Sequence, residues 1–415
     1  MYPDWPGSAA DLVPLPHCDG PKLGPFVFQG PQEMDFLEHL GEGTHAHVFK
    51  VKILGQIYAL KLFRFVHIED CYGPEEHVDP DNLEEMSAFY NYSDPFSSEC
   101  RAFGRLQEDG YEELAIRCFG YLLLGEDHER AMMDQFSPLK LDFNGDIYCQ
   151  GREEVRSRFL GKSGRPPPIR GIVKEFGPSD EDLRTKDVRR ILQDVIRLQQ
   201  LGIIHIDVAH TQIISGKICD FSTAITVPHF VTTPELNPCL TPEWIAAMEF
   251  ETFQFSINDY WEFDEMVRVW NDEQEDGKNQ ISVHAFPGGI GCRIKYDLRR
   301  TPARDRVYSL VDPRSYDWRT SAANPGNGTT GALDGRNLGR RTKGSSHGKP
   351  RGAISKTHRR LNTKPPRWSK ARANTRNTKL PFEGAQEHVG EEACVRRGLR
   401  VVITAATRAI SSDTT

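Results

Sequence analysis

The sequence predicts an α+β fold, a β-rich lobe followed by an α-rich lobe, with polar segments at both ends. Three observations carry this. Short runs with a two-residue period crowd the first part of the chain: "DFLEHL", "HVFKVKIL" and "QIYALKLFRF". The strongest helical period comes later, from Lys186 to Leu201, where Val188, Ile191, Leu192, Val195 and Leu198 share one face. Strands first and helices afterwards place the two kinds of element in separate layers.

Residues 1–32 are rich in Pro and Gly and hold no sustained period, so they are expected to be a mobile leader. The body runs from 33 to 318, with the N-lobe ending near 176. Its second and third strands alternate around a turn at Gly55-Gln56. "SSECRAFGRLQ", 97–107, reads as a helix capped by Ser97 or Ser98. "LAIRCFGYLLL" (114–124) and "IRGIVKEF" (169–176) read as further strands. Gly202 stands where a left-handed helix stop belongs. Ser215-Gly216 joins two short strands. Beyond Trp318, residues 319–415 hold few large apolar side chains, too few to offset chain entropy, and are expected to be mostly disordered.

Composition narrows the class. Nine cysteines, an odd number without CxxC pairs, suggest a reduced compartment, nucleus or cytoplasm. No apolar run is long enough to span a bilayer, and the N-terminus has no secretory pattern. Residues 319–415 carry 20 Lys/Arg against 6 Asp/Glu, leaving 32 against 53 for the rest, so an acidic body bears a basic tail. That tail can contact nucleic acid or serve in nuclear import; the bland reading is a solvated segment without a specific partner.

Several groups carry chemistry, each with a plain alternative. In "LGEGTHAHVF", Gly41 and Gly43 bring backbone N–H groups to a turn where phosphate can approach; taken alone, a simple glycine hairpin turn is the stronger reading. Lys61 points to the same side of its strand as Ala59; it is either an edge lysine or one that needs an anion. Glu99 lies on the helix beside Ala102, Phe103 and Leu106, placed to pair with Lys61 or to favour the helix start. In "IIHIDVAHTQIISGKICDFSTA", Asp207, Gln212 and Asp220 are oxygen donors suited to Mg²⁺, and one aspartate can take the proton of an attacking hydroxyl.

The order of these groups resembles the protein kinase core: glycine loop, strand lysine, helix glutamate, amphipathic helix, His-x-Asp, Asp-Phe-Ser. "LTPEW" and "NDYWEF" resemble two later motifs of that family. The resemblance implies a bilobal protein-kinase-like fold with a truncated C-lobe. It further implies ATP and Mg²⁺ as cofactors. Gly41, Gly43, Val48, Ala59, Lys61, Glu175 and Phe176 would hold the nucleotide, and Asp220 with Gln212 the metal. Asp207, Lys61 and Glu99 would be catalytic, and Glu243 and Asp259 would support the C-lobe. Ile206, Gln212, Ser222 and Ala46 depart from the kinase pattern, and only 13 positions separate Asp207 from Asp220.

"GEGTHAHVFKV", "IVKEF", "GIIHIDV" and "ICDFS", with the ending "VDPRSYDW", resemble the fungal kinase-like family named after the Fta-two subunit of the Sim-four kinetochore complex. Three functions are then to be weighed. The first is an atypical kinase transferring phosphate to Ser/Thr of a protein substrate. The second is a pseudokinase scaffold among protein complex subunits, and the third a small-molecule kinase. Retention of Lys61, Glu99, Asp207 and Asp220 favours the first; Ala46 and Gln212 favour the second. The paired "LTPEW" and "DYWEF" argue against the third.

Overall fold

The computed structural model describes residues 2–68, 78–79, 81–145, 155–177, 183–236, 242–274, 280–285 and 312–322. Five strands form one antiparallel sheet: β1 (Met34–Glu42), β2 (Ala46–Ile53), β3 (Gln56–Phe63), β4 (Cys118–Leu123) and β5 (Arg170–Glu175), in the order β1-β2-β3-β5-β4. The alternation that predicted the strands divides their side chains between two faces. Phe49, Val51, Leu60, Leu62 and Val173 lie in one apolar cluster; Ala46, Phe63, Ile172 and Tyr121 lie in another that continues to Val188, Ile191 and Phe263. The β2–β3 turn is Leu54-Gly55, both at positive φ, one residue earlier than expected, with Ile53 opposite Gln56.

Two helices separate β3 from β4: α1 (Leu83–Ser93) and α2 (Pro95–Asp109). No helix is read from the sequence over the first of these, although its start signal is present. Asn82 accepts from the backbone N–H groups of Glu84 and Glu85 and donates to the Glu85 side chain at 2.8 Å. The second helix starts two residues before the expected Ser97. Its cap is Asp94, which accepts from Ser97 N–H at 3.3 Å, and Pro95 fills the first turn. A further helix, α3 (Glu126–Gln135), lies between β4 and β5 and buries Met132.

The helical part begins with α4 (Thr185–Gln200), whose Val188, Ile191, Val195 and Leu198 are buried as the period predicted; Leu192 is half-buried. Gly202 follows at φ 73°. Four two-residue strands come next: β6 (Ile203–Ile204) with β9 (Ile225–Thr226), and β7 (Ile213–Ile214) with β8 (Lys217–Ile218). The "PEW" of the first later motif and all of "NDYWEF" lie in one long helix, α5 (Pro242–Glu273), and a last short helix is α6 (Trp318–Ala322). No described helix is long and apolar enough to cross a membrane.

Residues 2–32, expected to be a mobile leader, are packed against the rest of the structure. Leu15, Leu23 and Phe26 are buried, and the Tyr2 ring meets Phe65 at 5.0 Å and Phe159 at 5.2 Å. Trp5 Nε1 donates to the Pro166 carbonyl at 2.8 Å. The leader lacks a period because it is an extended strap with widely spaced anchors, and each anchor fills a pocket formed by other elements. Composition sees the Pro and Gly but not the pockets.

Arg170 and Asp94 form an ion pair at 2.6 Å with both side chains 1 % exposed, tying the start of β5 to the cap of α2. Truncating Asp94 leaves a buried guanidinium without its carboxylate. Asp94→Ala is expected to lower unfolding stability by about 3 kcal/mol, read by urea titration of the full chain.

Candidate functional site

Sheet register brings the first group together. Val48 lies opposite Lys61, Lys61 opposite Ile172, and Ala59 opposite Lys174. Opposed residues share a face, so Val48, Ala59, Lys61 and Lys174 point the same way. Glu99 on α2 has no exposure and meets them. Lys61 Nζ donates to Glu99 Oε2 at 2.8 Å and to Asp220 Oδ1 at 2.6 Å. The Lys174 ammonium pairs with the same Glu99 and donates to the Cys219 carbonyl at 2.7 Å.

Two ammonium groups and two carboxylates thus form one neutral cluster. Burial opposes the charge of Lys61, but Asp220 and Glu99 outweigh it and hold its pKa above the usual lysine value. Burial likewise pushes Asp220 up, and the stronger pull of Lys61 and Lys174 leaves its carboxyl well below the usual range.

The short hairpins position the second group. His205 is buried, its ring bonded to the Asp220 carbonyl at 2.6 Å and set edge-on to Phe221 at 5.1 Å. Phe221 meets Phe103 of α2 at 5.2 Å, so the segment after Asp220 is packed under the helix that carries Glu99. Asp207 is half-buried and accepts from Gln212 Nε2 at 2.5 Å. Ile206 stands at φ 72°, a conformation rare for a β-branched residue. Asp259 of α5 holds it there. This buried carboxylate accepts from Ile206 N–H at 2.6 Å, His205 N–H at 3.1 Å and Gln199 Nε2 at 2.7 Å. The expected supporting role of Asp259 therefore has a defined geometry. The Glu243 side chain lies outside the described residues.

The glycine turn closes the other wall. Gly43 N–H donates to the Ala46 carbonyl at 2.9 Å, and nothing crowds Gly41 or Gly43. The His45 ring, at the tip, lies 3.3 Å from Ser222 Oγ, so the turn reaches over to the segment after Asp220. Ala46, which stands where the kinase pattern has a third glycine, is buried in β2 opposite Phe63. Glu175 and Phe176 are exposed at the end of β5; Lys50 Nζ covers the Phe176 ring at 4.8 Å.

Among the described residues no group of three or more His, Cys, Asp or Glu is placed to hold a metal ion. Gln212 Oε1 is nevertheless buried and without a protein partner, an orphaned acceptor on the same hairpin that carries Asp220. The donor set suits a hard cation that takes its other ligands from a bound group. A cation at Asp220 would compete with the Lys61 ammonium, and that contact must be exchanged for any such group to enter.

Sequence reasoning found every member of the cluster except Lys174. Its signal was available: with β5 beside β3, the period of two puts Lys174 on the face of Ala59 and Lys61. Choosing between Lys174 inward and Lys174 outward requires the strand order.

Asp220 has a depressed carboxyl pKa, so its contribution to stability is present above the unfolded carboxylate value and is lost as pH falls below it. The stability gap between wild type and Asp220→Asn is expected to stay constant from about pH 7 to pH 5 and to shrink below about pH 4. Urea unfolding at each pH reads it; a gap indifferent to pH would contradict the ion pairing.

The family model for the kinetochore Sim4 complex subunit FTA2 matches residues 12–225, just over half of the chain, from the leader through β9. No curated protein matches it. The match spans the leader strap, the sheet, α2, α4 and the hairpins that carry Asp207 and Asp220, and the chain belongs to the kinetochore Sim4 complex subunit FTA2 family.

Proposed function

We propose that this chain is a protein-binding subunit of the kinetochore Sim4 complex, and hence nuclear, built on a kinase-like cleft whose charges are satisfied internally. The family match supports the kinetochore assignment. The observation that carries the scaffold reading is the neutral cluster of Lys61, Lys174, Glu99 and Asp220. An ammonium free to take phosphate and a carboxylate free to take a metal would leave local charges uncompensated; here each already has its partner. The Gln212–Asp207 hydrogen bond occupies the remaining aspartate in the same way.

The scaffold reading predicts that chemistry is dispensable. Full-length tagged chain carrying Asp207→Ala should reach kinetochores and co-purify with other Sim4 subunits as wild type does. Loss of both by this variant, with folding intact, would place Asp207 chemistry in the role.

A second reading, phosphoryl transfer from MgATP to Ser/Thr of a protein substrate, draws on the Lys61–Glu99 pair and the orphaned Gln212 oxygen. Asp220 and Gln212 would hold the metal, which neutralises phosphate charge when bound. Lys61 would turn from Asp220 to phosphate, Gly41 and Gly43 would offer backbone, and Val48, Ala59, Glu175 and Phe176 would border the nucleotide. Asp207 would accept the hydroxyl proton once Gln212 moves aside. A ligand that binds only the folded state must raise its melting temperature. On the scaffold reading, millimolar MgATP leaves the melting temperature of the full chain unchanged. A rise that Asp220→Ala abolishes would favour the second reading. The basic tail adds a proposed, salt-sensitive contact with nucleic acid through its 20 Lys/Arg.

A further inference from the structure

The helix that carries Glu99 is buried almost all round, although its sequence is amphipathic. Every residue from Pro95 to Leu106 is buried, including Ser97, Ser98, Arg101 and Arg105. A helix with a polar face normally turns that face to water. Here the leader covers it. The leader backbone at Lys22 lies so close to α2 that a Cβ added at Gly104 would stand 2.6 Å from the Lys22 carbonyl carbon and oxygen. Further along, Phe26 N–H donates to the Tyr121 carbonyl at 2.6 Å, and a Cβ at Gly120 would meet Phe26 N at 2.7 Å. Leu15 and Leu23 pair with each other across the intervening loop and enter the same core as α2.

Arg101 joins this strap to the C-lobe. Its guanidinium is fully buried and lies over the Tyr92 ring at 4.6 Å. One Nη donates to the Asp19 carbonyl at 2.8 Å and to Cys18 Sγ at 3.0 Å. The other donates to the carbonyls of Thr226, at 3.1 Å, and Pro228. One turn later, Arg105 donates to the Val227 carbonyl at 2.7 Å. A guanidinium offers donors in a rigid fork, so one side chain fixes leader, helix and C-lobe at once.

We propose that residues 15–26 are a built-in clamp, keyed by Arg101, that fixes α2 and so keeps Glu99 at Lys61 and Lys174 without a partner protein. Arg101 is a positioning residue that acts through the helix. The proposal concerns the cleft's assembly, and it stands whether or not the cleft takes a nucleotide.

Hydrogen exchange of the full chain without nucleotide tests it, in wild type, Arg101→Lys and Gly104→Leu. The first variant keeps the charge and removes the fork; the second expels the strap at Lys22, and either suffices if the other fails to fold. Amides of 95–109 should exchange at least about tenfold faster while those of 185–200 keep the wild-type rate, because a local opening does not loosen distant elements. Acylation of the Lys174 amine should quicken with them. Unchanged exchange in 95–109 would overturn the proposal, as would equal acceleration in 185–200, which signals general destabilisation. Faster exchange with unchanged Lys174 acylation would overturn the link to Glu99.

Discussion

Glu99 is a carboxylate with no exposure to solvent, and such a group stays ionised only with cationic partners at hand. Two strands supply them: β3 sends Lys61 and β5 sends Lys174 from adjacent positions on one face of the sheet. Asp220 then balances the second positive charge. Removing any member leaves a buried charge uncompensated, so the sheet, α2 and the hairpin after Cys219 constrain one another.

Helix α2 is the element where these constraints meet. Its inner side carries Glu99 and the apolar Ala102, Phe103 and Leu106, and its start is tied by the Asp94–Arg170 pair. Its outer side carries Arg101 and Arg105, whose donors satisfy carbonyls of the leader and of residues 226–228. Fully buried arginines are uncommon because desolvation is costly, and here carbonyl acceptors and aromatic faces replace the lost water. The leader is therefore structural: it lets a helix with a polar side lie inside the molecule.

The charged side chains of the cleft form a closed salt-bridge network. Asp259 strains Ile206 into a left-handed conformation next to Asp207, so the hairpin is held firmly. The departures at Ala46, Gln212 and Ser222 act on the same region: Ala46 continues β2, Gln212 binds Asp207, and Ser222 meets His45 from the glycine turn. Each closes a contact within the protein where an open site would leave a group free.

The sequence by itself determined the strands, α4, the hairpin at Ser215-Gly216 and most of the cluster, because these rest on local period and on motif order. Alternation fixed which side of β3 carries Lys61, and the spacing of Val188, Ile191, Val195 and Leu198 fixed the buried side of α4. Tertiary structure alone decided the rest. The leader has no period to read, since its anchors gain their energy from pockets built by distant segments. The start of α2 at Pro95 was hidden behind equally good caps at Ser97 and Ser98, and only the buried Arg170 selects Asp94. Lys174 becomes part of the site through strand order. The neutrality of the cleft follows from distances among β3, β5, α2 and the hairpin, which no local stretch of sequence encodes.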